Sequence, residues 1–234
     1  MLTAVLAFAS FTGGATVNNQ YDVVSFAVLI GSLSLIPLLV VTTTSFLKIS
    51  LVLLVLRNAI GVQQAPPTLA IYAISLVMSV FVMAPTAQEV GKRLMNSDTK
   101  MSASRHTPYL EHARDAFEPL REFMLRFSRP EHRDMFLDSA KKLWPKETAK
   151  AASPTDPVIV MPAFVASELQ AGYEIAFLIY IPFVVIDLFV SNLLMAMGMQ
   201  QVSPQTITIP LKLLLFTLVD GWVKLLNALA LSYV

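Results

Sequence analysis

Four ionisable side chains near the C-terminal end of the sequence lie within long apolar runs. They are Asp187, Lys212, Asp220 and Lys224. A charge in an apolar helix costs about 2.5–3.5 kcal/mol on insertion scales, so such groups pair with one another or line a water-filled cavity. Asp220 and Lys224 are four apart with the acid first, which predicts an ion pair on one helix face, with Lys212 near that face. The expected chemistry is either a charge network that joins helices and subunits or a path for an ion or a polypeptide.

Two carboxylates in a low dielectric can also share a proton, as in an intramembrane aspartyl protease. The strings around Asp187 and Asp220 are VVIDLFV and LVDGWVK. They lack the tyrosine–aspartate and GxGD patterns expected of such proteases. The sequence therefore favours a protein that is not an enzyme, with the protease as the weaker alternative.

Other reactive groups are scarce. The chain has no cysteine, and His106, His112 and His132 do not have the i, i+4 spacing of ligands on one helix face. Neither a GxGxxG nor a GxxxxGK[ST] string occurs, so we expect no metal and no cofactor. The net charge of +1 provides no field that would attract a nucleic acid, which is therefore not an expected partner.

Methionines cluster at one predicted helix end. Met195, Met197 and Met199 flank Gly198, and Gln200 and Gln201 follow. Methionine is flexible and polarizable and can repack around varied surfaces. The cluster could form a deformable seal around something of changing shape, and ordinary helix packing is the alternative.

All of these groups must be positioned by membrane helices, because the 234-residue chain is 55% hydrophobic and only 14% charged. Thirteen of the 17 basic and twelve of the 16 acidic residues lie between Glu89 and Glu168. A spanning helix needs about 20 apolar residues, which the string PPTLAIYAISLVMSVFVMAP supplies. We predict an all-α integral membrane protein in contact with lipid, with long kinked helices or helical hairpins and a polar helical insert.

The apolar blocks are too long for single spans. Residues 23–60 would extend about 57 Å as one helix, against a hydrocarbon core of about 30 Å. Pro37 and the polar run 42–45 predict a break in this block, and Pro182 predicts one in the block 163–198. Gly61 and Gly198 stand where helices are expected to end.

The predicted organisation has four parts. They are an N-terminal tail (1–22), a first apolar block (23–88), a polar helical segment (89–162) with a connector (145–157), and a second apolar block (163–234). The string MLTAVLAFASF lacks the preceding basic residues of a signal peptide, so we expect it to be retained. In the polar segment, Thr107 and Pro108 predict a helix start, and Ser128 with Glu131 predicts a capping box before a second helix.

Two long strings are similar to the signature blocks of the FliP/SctR family. They are PLLVVTTTSFLKISLVLLVLRNAIGVQQAPP and AFVASELQAGYEIAFLIYIPFVVIDLFVSNLLMAMGMQQVSPQTITIPLKLLLFTLVDGW, and the resemblance extends from Ser34 to the C-terminus. Members of this family are export-apparatus subunits of flagellar and virulence-associated type III secretion systems. The absence of a signal peptide, together with a departure from the family pattern in the loop after MAMG, favours the virulence-associated form, the injectisome, over the flagellar one.

The resemblance implies a pore-forming subunit without enzymatic activity. About five copies would form a ring, which the S- and T-subunits complete and the U- and V-subunits then join. Unfolded secreted proteins would pass through this export gate. A small-solute or ion transporter that uses the intramembrane aspartates and lysines is the alternative.

By resemblance, Glu168 and Asp187 are structural or inter-subunit residues, and Lys212, Asp220 and Lys224 support the closing helix. The family has a methionine-rich loop after MAMG that acts as a gasket around the pore. Here only Met199 of that loop is methionine, because Gln200 and Gln201 follow it. This departure suggests that the glutamines or the upstream Met195 and Met197 share the closure.

The resemblance also implies a place in the bacterial inner membrane, with the polar segment in the periplasm. A simple positive-inside count would instead place its 13 basic residues in the cytoplasm. The rule applies to loops shorter than about 60 residues. This segment is longer and its acids nearly balance its bases, so we follow the family topology.

Overall fold

The computed structural model describes residues 19–62, 65–101, 109–199 and 201–234, and every regular element in these ranges is an α-helix. The helices are α1 (Asn19–Thr43), α2 (Phe46–Ile60), α3 (Thr68–Met101), α4 (Tyr109–Phe127), α5 (Pro130–Leu143), α6 (Lys146–Ala151), α7 (Pro157–Ala196), α8 (Gln205–Leu218) and α9 (Gly221–Leu231). The predicted all-α fold is confirmed. Residues 1–39 and 40–234 form separate units, and the contacts below belong to the second. The predicted tail lies largely outside the described residues.

Within the part of the chain that the structure describes, two helices are long and apolar enough to cross a membrane. They are the Thr68–Met95 part of α3 and the whole of α7. The pairs α1/α2 and α8/α9 also qualify as bent spans, which gives up to four. With 40 residues, α7 is about 60 Å long, twice the hydrocarbon thickness of about 30 Å. Part of α7 therefore extends beyond any bilayer that it crosses.

Helix α2 forms the centre of the fold, packed mainly against α7 and α3. Ile49, Val52, Leu53 and Leu56 recur at helical spacing and are almost completely buried. Other members of this core are Ile71 of α3, Ala176 and Phe183 of α7, Phe216 of α8, and Leu225 and Leu229 of α9.

A second core joins the polar segment to the membrane helices, because α4 and α5 pack on α7. Its buried members come from four parts of the chain: Met83, Phe123, Met124, Val160, Phe164 and Tyr233. Helix α3 continues past Glu89 without interruption, so the predicted boundary between blocks at 88–89 falls within a helix.

The helix breaks lie at glycines and polar residues. The helix ends at Thr43 and resumes at Phe46 after Thr44 and Ser45, inside the predicted polar run. Gly61 and Gly198 have φ of 84° and 75°, a left-handed conformation that glycine adopts without strain, which confirms both predicted helix ends.

Pro37 and Pro182 do not mark full turns, because α1 and α7 continue through both positions. A kink at either proline stays a prediction. A proline inside a helix removes one backbone hydrogen bond, and the flanking turns retain theirs.

The second helix of the polar segment forms where it was predicted, but its N-terminal cap differs. Lys141 and Lys142 occupy the last turn of α5. The predicted capping box is wrong, because Arg129 is the N-cap and the Ser128 hydroxyl donates to the Leu125 carbonyl at 3.2 Å. Thr107 and Pro108 lie outside the described residues. The predicted connector contains the short helix α6.

Candidate functional site

A buried charge cluster joins the start of α2, the middle of α7 and the residues after α9. Lys48 Nζ lies 3.4 Å from Glu168 Oε1, and both side chains are at most 4% exposed. The Tyr233 hydroxyl donates to the other carboxylate oxygen of Glu168. Because each charged group has a partner, the desolvation cost of both is partly offset.

Tyr233 also contacts the cation. Lys48 Nζ lies 3.6 Å from the centre of the tyrosine ring, a distance at which a cation is attracted to the ring face. The ring stacks on Phe123 and meets Phe127 edge-on, with centroid distances of 5.9 and 5.0 Å. Burial, and next the Glu168 carboxylate, raise the pKa of the Tyr233 hydroxyl above its usual value, which keeps it protonated as a donor. Tyr233 thus connects the membrane helices to α4.

The polar turn between α1 and α2 lies beside this cluster. The Ser45 hydroxyl donates to Ser79 Oγ on α3 at 3.2 Å, and Ser79 Oγ in turn donates to Thr44 Oγ1 at 3.2 Å. Thr44 Oγ1 donates to the Val40 carbonyl at 2.6 Å. These hydroxyls satisfy polar atoms at the break, which explains why a run of polar residues stands in an apolar block.

Gly172 allows α7 to approach α2 next to Lys48. A Cβ atom at this position would lie 2.7 Å from Leu51 Cδ2 and 3.6 Å from Lys48 Cα. Any side chain larger than hydrogen would therefore displace the Leu51 side chain, whereas the Lys48 backbone lies at ordinary contact distance.

A second charge cluster joins α7 and α8 near the end of α2. Lys212 Nζ donates to Asp187 Oδ2 at 2.6 Å and to the Ala59 carbonyl at 3.0 Å. The Lys212 side chain is 4% exposed and that of Asp187 45% exposed, so the aspartate reaches the surface of the chain. Ala59 is in the last turn of α2, whose carbonyls have no helical partner, and Lys212 satisfies one of them.

The predicted pair of Asp220 with Lys224 does not form. Among the ion pairs of the described residues, none joins them. Helix α8 ends before Asp220, which has a left-handed φ of 53°, and α9 begins at Gly221 after a bend of 63°. Because the two residues do not share a helix interior, the i, i+4 argument fails. Only a backbone bond links them, from Lys224 N to the Asp220 carbonyl at 3.1 Å.

The predicted gasket residues lie at the end of α7 with their side chains outward. Met195, Met197 and Met199 are 57%, 59% and 41% exposed. Gln201 is exposed, and Gln200 lies outside the described residues. The left-handed Gly198 ends the helix and places Met199 in the following turn. A flexible apolar surface of this kind is available to another molecule.

A third group of polar contacts, which the sequence did not predict, fastens the start of α5 to α7. Ser167 Oγ donates to the Ala163 carbonyl at 2.7 Å and lies 2.8 Å from His132 Nδ1. It also accepts from the Arg129 amide at 2.9 Å, and Arg129 binds both carboxylate oxygens of Glu174. His132 is therefore a contact between the polar segment and a membrane helix.

Tyr233→Phe is expected to destabilise the chain by about 1–3 kcal/mol, because it removes the hydroxyl donor from a buried carboxylate and leaves the aromatic stack intact. The measurement is unfolding of the detergent-solubilised chain by increasing sodium dodecyl sulfate. Tyr180→Phe, on the exposed face of α7, is the matched control. Equal midpoints for the two variants would contradict the assigned hydrogen bond.

Long apolar helices with exposed apolar faces and internal ion pairs define an all-helical membrane protein. The sequence profile of the FliP family matches residues 29–229. The chain is 51% identical over 207 residues to harpin secretion protein HrpW of Pseudomonas syringae pv. syringae, which covers 88% of this chain and 99% of that protein. It is also 41% identical to Yop proteins translocation protein R of Yersinia pestis. The 212 aligned residues cover 91% of this chain and 97% of that protein.

A third relative is harpin secretion protein HrcR of Erwinia amylovora, 45% identical over 216 residues that cover 92% of this chain and 99% of that protein. The chain belongs to the FliP family. This confirms the resemblance seen in its two signature strings.

Proposed function

We propose that the chain is a structural, pore-forming subunit of the export apparatus of a type III secretion system, through which unfolded proteins cross the bacterial inner membrane. The observation that carries this proposal is the 51% identity to harpin secretion protein HrpW over nearly the whole of that protein. The names of the relatives refer to harpins and Yop proteins, which favours an injectisome over a flagellar system.

The contacts of the ionisable residues support a structural role without catalysis. Lys48 and Glu168 join two helices and Tyr233, and Lys212 joins α8 to both α7 and α2. These groups therefore hold helices together. Asp187, half exposed beside the exposed Val185 and Leu188, is available for contact with a neighbouring subunit.

The exposed apolar faces of α3 and α7 support assembly into a larger complex. Large apolar side chains are exposed along both helices, among them Leu69, Val77, Val80, Phe177, Leu178 and Phe189. Contiguous surfaces of this kind are covered by lipid or by other subunits. In the proposed gate they contact lipid and further copies in a ring of about five, together with the S- and T-subunits and then the U- and V-subunits.

The proposed topology places α4, α5 and α6 in the periplasm. They belong to the polar segment. Helix α4 packs on the N-terminal part of α7 through Phe123, Val160 and Phe164. Helix α5 also contacts α7, and α6 contacts α5. The exposed apolar part of α7 begins near Tyr173 and continues to Leu193. The N-terminal part of α7 thus packs against the helices of the polar segment. In the proposed gate, its exposed C-terminal part contacts lipid or other subunits.

Replacing Met199 with alanine is expected to increase leakage of small solutes through the assembled gate while protein export continues. Alanine removes a flexible apolar side chain from the proposed seal, and the neighbouring Met195 and Met197 are retained. Uptake of a small fluorescent dye by cells measures the leak. Met135→Ala, an exposed methionine on α5, is the control. Equal dye uptake in the two variants would contradict a role of Met199 in closure.

Deletion of the gene tests the proposed function. Export of type III substrates by the host bacterium is expected to stop and to return when the intact chain is supplied from a plasmid. The rival function is an ion or small-solute transporter, which the half-exposed Asp187 beside Lys212 would suit. Normal export in the deletion strain, together with transport by the purified chain in liposomes, would favour the rival.

A further inference from the structure

The segment 46–67 of the chain is repeated at 183–204. The two strings are FLKISLVLLVLRNAIGVQQAPP and FVVIDLFVSNLLMAMGMQQVSP, and nine of their 22 positions are identical in an alignment without gaps. The identities include the loop pattern G-x-Q-Q-x-x-P, whose glycines are Gly61 and Gly198. A shared apolar composition does not explain an identical polar loop, so the repeat indicates two versions of one structural unit.

The structure repeats together with the sequence. Each segment is a helix that ends at a left-handed glycine, and the N–H groups of Gly61 and Gly198 donate to the carbonyls three residues earlier at 3.1 and 3.0 Å. The helices that follow, α3 and α8, are buried at corresponding positions. These positions are Ile71, Ser75 and Ser79 in α3 and, 137 residues later in each case, Thr208, Lys212 and Phe216 in α8. We call residues 46–79 the first hairpin and residues 183–216 the second hairpin.

The first hairpin is covered by other parts of its own chain. Four residues of α2, spaced four apart, form a stripe in which each is at most 3% exposed: Lys48, Val52, Leu56 and Ile60. The apolar core around this stripe contains residues of α3, α7, α8 and α9. The second hairpin also binds the end of α2 directly, because Lys212 Nζ donates to the Ala59 carbonyl.

The corresponding stripe of the second hairpin has no such cover within the described chain. At the same four alignment positions it consists of Val185, Phe189, Leu193 and Met197. Their exposed fractions are 56%, 68%, 49% and 59%. The four side chains are large and apolar and extend over about 18 Å of α7. One position in the unit is therefore enclosed by protein in the first hairpin and uncovered in the second.

The covered hairpin indicates what fits the uncovered stripe. Within the chain, the α2 stripe packs against helices of the second hairpin, so one hairpin of this type accommodates another. The side-chain ridges of one helix fit the grooves of its neighbour, and the two segments share many of the residues that shape them. A second copy of the chain supplies the same hairpins in the same membrane. The repeat therefore favours a second copy over lipid as the occupant.

We propose that the α7 stripe from Val185 to Met197 is a packing surface for a hairpin of a second copy, as the α2 stripe is for the second hairpin of its own chain. The second copy keeps an uncovered stripe of its own, so the contact can continue from copy to copy until a ring closes. This inference rests on the proposed ring of copies and specifies the α7 surface that forms it.

A photoreactive residue in the stripe identifies the occupant directly. p-Benzoylphenylalanine replaces Phe189 in a tagged copy, which is expressed together with an intact copy that carries a different tag. Illumination of the membranes is expected to produce a covalent dimer with both tags. The control is the same replacement at Tyr180, which is 40% exposed on the opposite side of α7, since nine residues are about two and a half helical turns. The control is expected to give several-fold less of this dimer.

Substitutions at corresponding positions test the repeat itself. Leu193→Asn is expected to lower the dimer yield several-fold and to leave the unfolding midpoint of the chain in detergent nearly unchanged, because Leu193 is half exposed. Leu56→Asn, at the corresponding position of α2, is expected to lower that midpoint, because Leu56 is buried within its own chain. Equal midpoints for the two variants would contradict the difference in cover.

The outcomes separate the proposed contact from the proposed ring. Particles whose native mass shows several copies, but in which the residue at 189 forms adducts only with lipid or with another protein, would overturn the contact and leave the ring intact. A dimer yield at Phe189 no higher than at Tyr180 would also overturn the contact. A single copy per particle would overturn both the contact and the ring.

Discussion

Replacing Lys48 with methionine is expected to destabilise the chain by about 3–5 kcal/mol, the cost of leaving a buried charge without its partner. Methionine preserves much of the length of the side chain but removes the ammonium from Glu168, whose side chain is 2% exposed. Unfolding of the purified chain in mixed micelles of mild detergent and sodium dodecyl sulfate measures the loss. Lys142→Met, at an exposed lysine of α5, is the control.

A compensated variant separates loss of the ion pair from damage to packing. Lys48→Met combined with Glu168→Met and Tyr233→Phe removes the cation, the carboxylate and the hydroxyl together. Replacement of a whole buried ionic group by apolar side chains is often neutral or stabilising. The triple variant is therefore expected to be more stable than Lys48→Met. A triple variant less stable than the single one would show that Lys48 acts through packing rather than charge.

Replacing Lys212 with methionine is expected to cost about 2 kcal/mol or more, because one ammonium serves both Asp187 and the Ala59 carbonyl. The cost is expected to be smaller than at Lys48, since Asp187 is half exposed. Lys224→Met, an exposed lysine on α9, is the control.

A double-mutant cycle with Asp187→Asn isolates the coupling of Lys212 to the carboxylate. The asparagine in Asp187→Asn still accepts a hydrogen bond, so the coupling reports the charge. Additive effects of the two substitutions would contradict a direct ion pair.

Local features of the sequence predicted the helix ends well. Gly61 and Gly198 end helices because only glycine takes their positive φ without strain. The polar Thr44–Ser45 break was also predictable, because hydroxyls satisfy the backbone where an apolar helix stops. Pro37 and Pro182 do not mark full turns, since a proline removes one hydrogen bond and does not by itself end a helix.

The site was predictable as a set of residues but not as a set of pairs. Asp187 and Lys212 were expected in a charge network because they stand isolated in apolar runs, whereas Glu168 was expected there only from the family resemblance. Their partners depend on the tertiary fold: Lys48 lies 120 residues from Glu168, and Tyr233 lies 65 residues from it. The Asp220–Lys224 pair was wrong because the helix ends at Leu218 and Asp220 takes a left-handed φ. The Asp220–Gly221 dipeptide, which is typical of turns, was the signal that could have revealed this break.

The most direct test of the proposed function is the composition and native mass of the complex that the tagged chain forms in its host. The chain is purified in mild detergent, and its partners are identified by mass spectrometry. We expect several copies of the chain together with small hydrophobic export subunits. A lone monomer or simple dimer that conducts ions or solutes in liposomes would contradict an export-gate subunit.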